Sequence, residues 1–405
     1  MISSSIKNSI KKMRVLFISN GHGEDLNACE VLKALQHKHP DVEAIALPLV
    51  GDGNAYRRAG IKIATSTKAL PSGGFAYMNF WKQIEDFQSG LLGLTWQQIK
   101  AARACGKTCD FVFATGDVLP AIFAWLTGLP YAMFLVSSSG FYENRYLPPW
   151  LQAQMMRAPR CRQILTRDAY SAKLIKQRGY RNTSFVGYPI MDVLEPTGKD
   201  LDLLKNVPAI ALLTGSRLPE AAENLVLQLS LCEAIAQEFA PNPVQFRAAL
   251  VPSLMPQLSE LAAIAGWQYN EGKLYQEKLG ISVLCFSDAF ADILQQCDLA
   301  IGMAGTAVEQ AVGLGKPVVQ IIGNGPQFSY RFANAQERLL GLSVQTIGIG
   351  FATPEILGKA AGRIKRTLGD RDYLARCQLN GLERVGAKGG SQGLANAIAL
   401  QIFNS

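Results

Sequence analysis

The chain contains three histidines, His22, His37 and His39, in different surroundings. His37 and His39 lie in the polar string QHKHPD, a helix end where solvent is the natural partner. His22 lies in Asn20-Gly21-His22-Gly23-Glu24-Asp25, between an apolar strand and a stretch of helical spacing. Glycines on both sides allow a sharp turn that exposes the imidazole. A helix N-terminus carries partial positive charge, which disfavours imidazolium and leaves a neutral ring able to accept a proton. His22 is therefore the candidate general base, with capping of the turn as the other role open to it. Asp117, in Ala114-Thr115-Gly116-Asp117, follows another apolar strand and could orient a base or bind an acceptor hydroxyl. Asp25 and Glu24 compete for both jobs, and as acids at a helix start they would also serve as caps. Gly21, Gly23 and Glu24 complete the candidate acceptor-binding turn.

The second half carries two glycine turns suited to an anion. Leu213-Thr214-Gly215-Ser216-Arg217 ends an apolar strand and precedes a helix containing Glu220 and Glu223. Its backbone amides and the forked guanidinium of Arg217 could hold a diphosphate without a metal. Gly302-Met303-Ala304-Gly305-Thr306-Ala307-Val308-Glu309 is a second strand-to-helix turn of the same kind. Glu309 falls one turn into its helix, where a carboxylate can accept hydrogen bonds from a ribose. No Walker A lysine motif occurs, and Gly21 and Gly23 are followed by Leu26 where a dinucleotide fingerprint needs Gly. Kinase and dehydrogenase chemistry therefore lack support.

Short apolar strands and helices alternate around these turns. Arg14–Ser19, 43–47, 111–114, 131–136 and 163–166 read as strands in the first half. Residues 209–214, 281–285, 299–302 and 317–321 read as strands in the second. Continuous apolar runs separated by helices indicate parallel sheets covered on both faces. The predicted fold is α/β: two doubly wound, Rossmann-like domains facing a central cleft, with ligands at the carboxyl ends of the strands. The expected boundaries are a tail at 1–12, a first Rossmann-like domain at 13–190, a Pro/Gly-rich linker at 191–207, a second Rossmann-like domain at 208–390 and a final helix at 391–405; the resemblance described below implies that the first takes the acceptor and the second the nucleotide-sugar. The segment 70–99 is rich in aromatics and poor in charge. It reads either as a core helix pair or as a surface that enters a bilayer or grips an acyl chain.

Composition narrows the partners. A length of 405 residues suits two domains of ~200 residues. The formal net charge of +8, from 40 basic and 32 acidic residues, favours anionic partners. No nucleic-acid motif occurs, so a phosphorylated donor and an anionic membrane face are the expected partners. Eight scattered cysteines form no zinc set and suit a reduced, cytoplasmic compartment. No metal and no organic cofactor are expected. No run reaches ~18 uninterrupted apolar residues, so any membrane association would be peripheral.

These motifs together resemble the glycosyltransferase-B superfamily, and within it lipid A disaccharide synthase and its relatives. The likeness is carried by Ile164-Leu165-Thr166-Arg167, Phe185-Val186-Gly187-Tyr188-Pro189, Leu212 to Arg217, and Gly305-Thr306-Ala307-Val308-Glu309 with Gly315-Lys316-Pro317-Val318-Val319. It implies metal-independent, inverting transfer of a sugar, of the N-acetylglucosamine kind, from a UDP-sugar to a lipid-like acceptor. By that resemblance Gly215, Ser216 and Arg217 contact the donor phosphates on one side. The turn at Met303, Gly305, Thr306 and Ala307 does so on the other, with Glu309 on the ribose. Phe286 would lie by the uracil and Gln336 by the donor sugar. The synthases open with G-E-A-S-G-D where this chain has N-G-H-G-E-D, a loop more similar to that of the peptidoglycan GlcNAc transferase. Two other activities fit the same architecture: a UDP-GlcNAc 2-epimerase, and a nucleotide- or lipid-binding protein without turnover. The first would call for a histidine in the second domain, and none follows His39.

Overall fold

A computed structural model describes residues 12–65, 91–324 and 328–403. The chain divides into two compact units. The first comprises residues up to Ser139, Tyr146–Pro189 and Gly389 onward, and the second Gly140–Arg145 with Ile190–Lys388.

The first unit is built on a seven-stranded sheet. Its strands are β1 (Arg14–Ser19), β2 (Glu43–Pro48), β3 (Lys62–Ile63), β4 (Phe111–Thr115), β5 (Tyr131–Leu135), β6 (Cys161–Thr166) and β7 (Thr183–Ser184). They lie in the order β3-β2-β1-β4-β5-β6-β7, all parallel. Every side chain of β4 and β5 is buried. That is why these strands are unbroken apolar runs rather than alternating ones. Phe17 meets Phe113 edge-on at 5.6 Å and Phe113 stacks on Phe134 at 6.5 Å, so aromatic packing ties three neighbouring strands together. The final helix, Gly390–Phe403, packs on the first helix, His22–Lys38, within this unit. Gly187 explains part of that docking. Its φ is +114°, and a Cβ there would stand 2.6 Å from Gly390 Cα, so only glycine lets the two backbones cross.

The second unit holds an eight-stranded sheet. Its strands are β8 (Ala209–Leu213), β9 (Gln245–Ala249), β10 (Gln268–Asn270), β11 (Lys273–Gln276), β12 (Ile281–Phe286), β13 (Leu299–Gly302), β14 (Val318–Ile321) and β15 (Val344–Ile347). The order is β10-β11-β12-β9-β8-β13-β14-β15, parallel except for the β10–β11–β12 meander. The segment expected to act as a linker is anchored to this unit. Asp292, almost wholly buried, accepts from the backbone amides of Thr197, Gly198 and Lys199 at 2.8–3.2 Å. Burial pushes its pKa up, and these bonds outweigh burial and hold it below the usual carboxylate range. Arg247, on β9, donates to the carbonyls of Leu201 and Asp202.

In both sheets the chain reverses direction across one strand pair. It runs outward from β1 to β2 and returns at β4, and it runs outward from β8 to β9 and returns at β13. Loops leaving the carboxyl ends of such a pair part company and open a crevice. The glycine turns of the sequence fall at these two points.

Candidate functional site

In the second unit the two glycine turns stand side by side. Strands β8 and β13 are in register, Leu213 opposite Gly302, and Met303 N donates to Leu213 O at 2.8 Å. Gly215 has φ +93°, and a Cβ there would lie 3.0 Å from Met303 O and 3.3 Å from the Phe328 ring. The first turn therefore passes over the second at a distance, and with a positive φ, that strongly favour glycine. Gly305 opens the helix Thr306–Gly313 with no side-chain cap. Its leading amides are thus available to an anion in the way helix N-termini commonly are.

Buried amide side chains hold the carbonyls of these turns from below. Asn224 Nδ2 donates to Thr214 O at 3.0 Å, and Gln228 Nε2 to Leu213 O at 3.2 Å. Gln336 Nε2 donates to the carbonyls of Ala304 and Gly305 at 3.1 and 3.0 Å. Gln336 Oε1 in turn accepts from Gln320 Nε2 at 2.6 Å. With the carbonyls engaged below, the turns are pinned with their backbone amides on the opposite side. Such preorganisation lets an anion be bound without reorganising the loop.

This layer corrects two expectations. Gln336 is 6% exposed and spends its amide on backbone and on Gln320, so it positions the Gly305 turn instead of reaching a sugar directly. Met303 is 2% exposed and its side chain belongs to the hydrophobic core; only its backbone joins the turn. Ser216 is exposed and Arg217 half-buried beside the turn. Glu309 is half-buried in the first turn of its helix, and Thr306 and Ala307 are half-buried ahead of it. Phe286 is half-buried at the carboxyl end of β12, on the same edge of the sheet. Sequence reasoning missed Asn224 and Gln228. Their signal is a pair of amides at i and i+4 on the buried face of the helix Glu220–Phe239.

The first unit presents a different chemistry at its corresponding edge. Ser19 Oγ donates to Asp25 Oδ1 at 2.6 Å and lies 2.8 Å from Tyr56 OH. A hydroxyl has one proton, so the order is Tyr56 to Ser19 to Asp25. Asp25 is 1% exposed, and burial pushes its pKa up to about 7, against the Ser19 bond and helped by the charge of Glu24. Asn20 Oδ1, Asp25 Oδ2 and Thr115 Oγ1 are buried without a hydrogen-bond partner among the described residues. Thr115 is the register partner of Ser19, so its side chain shares the face of the sheet on which Asp25 sits. Glu24 Oε1 accepts from Ser137 Oγ at 2.6 Å. A Cβ on Gly116 would touch Asn20 and Glu24 at 3.4 and 3.6 Å, so the turns after β1, β4 and β5 converge here.

Gly21, extended in backbone, precedes the helix His22–Lys38, and Gly23 lies within its first turn. The backbone of His22 thus opens that helix, while its side chain lies outside the described residues. Asp117 does not join the cluster through any described bond. It caps the helix Val118–Leu126, its Oδ1 accepting from Leu119 N at 3.2 Å. Of the aromatic segment 70–99, residues 70–90 lie outside the described residues and Leu91 onward forms the helix Leu91–Cys105. Among the described residues no three His, Cys, Asp or Glu side chains gather as a metal site. No described helix is long and apolar enough to cross a membrane.

No protein-family model matches the chain. A lipid-A-disaccharide synthase from Geobacter sulfurreducens is 27% identical over 232 residues, covering 53% of this chain and 55% of that protein. The chain thus spans about half the length of the curated relative it matches. Among solved structures, the glycosyltransferase of kitacinnamycin is similar with a TM-score of 0.58 at 15% identity, over 97% of this chain and 100% of that one. The UDP-GlcNAc 2-epimerase of Neisseria meningitidis, bound to UDP-GlcNAc, has a TM-score of 0.55 at 12% identity, over 97% and 100%. These likenesses establish the fold: two Rossmann-like α/β domains with parallel sheets, as in GT-B glycosyltransferases and epimerases.

Proposed function

We propose that the protein is a glycosyltransferase that takes a sugar from a UDP-sugar and passes it, with inversion, to a hydroxyl of a lipid-like acceptor. The observation that carries the donor half is the Gly215 turn laid so close over the Met303–Gly305 turn that a Cβ on Gly215 would stand 3.0 Å from Met303 O, with carbonyls held from below by Asn224, Gln228 and Gln336. On this reading Gly215, Ser216 and Arg217 hold one side of the diphosphate. The amides of Gly305, Thr306 and Ala307 hold the other, Glu309 takes the ribose, and Phe286 flanks the uracil. The partial sequence likeness to a lipid-A-disaccharide synthase supports a glycosyl transfer and a hydrophobic acceptor.

The reaction is a single displacement. His22 takes the proton from the acceptor hydroxyl; that oxygen bonds to the anomeric carbon as the bond from that carbon to the phosphate oxygen breaks. The electron pair leaves with UDP, where Arg217 and the helix end at Thr306 offset the growing charge. A peripheral position on an anionic membrane face agrees with the net charge of +8.

Calorimetric titration with UDP, ADP and GDP tests the donor reading. UDP is expected to bind at least ~tenfold more tightly than the other two. Equal affinity for all three would sink it. The fold likeness to a UDP-GlcNAc 2-epimerase favours a second reading, isomerisation of the donor itself. Incubation with UDP-GlcNAc alone separates the two, because an epimerase forms the 2-epimer with no acceptor present.

A further inference from the structure

Gln320 lies on β14 among Val318, Val319 and Ile321, and the whole strand is buried. An amide at such a position destabilises the fold unless its hydrogen bonds are met. Successive side chains on a strand point to opposite faces. Val319 and Ile321 join the core that also holds Leu357, Ala360 and Ile364 of the helix Pro354–Gly369. Gln320 therefore points to the other face, where the helix Tyr330–Leu340 brings Gln336 to it.

The bonds leave Gln336 one consistent orientation. Its Nε2 donates to the carbonyls of Ala304 and Gly305, so its Oε1 faces β14 and needs a donor. Gln320 Nε2 is that donor, at 2.6 Å. Turned over, Gln336 would set its oxygen against two carbonyl oxygens and its NH₂ group against another NH₂ group. Gly305 O also accepts from the amides of Val308 and Glu309, at 3.1 and 3.4 Å. The same carbonyl thus anchors the start of the helix Thr306–Gly313.

Resting on the donor reading above, we propose that Gln320 is a positioning residue for the donor diphosphate. It fixes the Gln336 amide, and that amide holds the Gly305 turn with its leading N–H groups presented to the anion. Gln320→Glu provides the test, because it keeps the shape of the side chain and makes its donor depend on pH. The neutral acid can donate its O–H to Gln336 Oε1, and the ionised form has no proton to give. Burial raises the pKa of such a carboxyl, so the change falls between pH ~5 and ~9. Neither β13 nor β15 carries a titratable side chain. Arg331, Glu337 and Arg338 on the helix of Gln336, and Glu309 on the helix Thr306–Gly313, are common to variant and native chain. The native chain titrated at each pH therefore cancels them.

Relative to the native chain, Gln320→Glu should bind UDP within about threefold at pH ~5 and roughly tenfold or more weakly at pH ~9. Gln320→Leu should lose about tenfold at both. In Gln320→Leu at pH ~7, amide hydrogen exchange at Val308 and Glu309 should quicken while that of β8 is unchanged. A Gln320→Glu chain that follows the native one at both pH values would overturn the proposal. So would exchange that quickens equally across the second unit, the mark of a residue that only stabilises the fold. Native chain that binds no UDP would instead overturn the donor reading together with the proposal, which keeps the two failures apart.

Discussion

The two switch points of this protein solve opposite problems. At the edge of the second sheet, buried amides engage the carbonyls of two glycine turns, and on the proposed reading backbone N–H groups meet the ligand. At the edge of the first, side chains carry the hydrogen bonds, and Asn20 Oδ1, Asp25 Oδ2 and Thr115 Oγ1 are buried without a partner among the described residues. The difference matches what each edge would bind. A diphosphate is an acceptor and needs donors, and a rigid backbone supplies them at little entropic cost. A hydroxylated acceptor molecule both donates and accepts, and an edge lined by polar side chains can answer both needs.

Four substitutions break or sharpen that contrast. The largest effect is expected from His22→Ala. Turnover should fall by roughly 10²–10⁴-fold, the usual contribution of a general base, with UDP affinity preserved. Steady-state kinetics alongside UDP titration check it, and near-normal turnover would remove the base from the first edge. Gly215→Val comes next. The new Cβ meets Met303 O at 3.0 Å and the backbone sits at φ +93°, so UDP affinity should fall by about 10²-fold while the helices persist by circular dichroism.

Arg217→Ala is expected to weaken UDP roughly 10- to 100-fold, in keeping with loss of a charge-assisted bond. Here turnover at saturating donor should fall too, since the charge on the leaving group grows as the bond breaks. Unchanged affinity would show that the backbone amides suffice.

The smallest effect concerns Asp25. Its folded pKa of about 7 stands above the ~3.9 of an exposed aspartate. The folded state therefore binds the extra proton between those values, and the stability this brings is lost as pH rises through 7. Asp25→Asn should leave stability nearly unaltered at pH ~3, gain on the native chain as pH rises from ~4 to ~7, and raise the melting temperature by several degrees at pH ~8. A difference between the two proteins that does not vary with pH would mean that the carboxyl is not held protonated.

Much of this was legible in the residues alone. A parallel sheet buried on both faces writes its strands as apolar runs, so Arg14–Ser19, Phe111–Thr115 and Tyr131–Leu135 stood out. Strands outside that pattern did not. β9 carries Arg247, whose charge is met by carbonyls far along the chain, and β10 is exposed throughout, so neither has an apolar signature. The glycine at 215 was visible because a close-packed turn at positive φ admits little else.

What only the tertiary structure decided is the environment of polar side chains. Gln336, Asn224 and Gln228 sit in helices, and their partners are carbonyls on strands and loops up to 73 positions away. Asp25 is one of two acids in a helix start, indistinguishable from Glu24 until burial separates them, Asp25 under the sheet edge and Glu24 beside Ser137. Backbone conformation is written locally, in glycine and in apolar periodicity. Desolvation and hydrogen-bond satisfaction depend on groups that folding brings from elsewhere, so the titration of an acid or the task of an amide cannot be read from its neighbours in sequence.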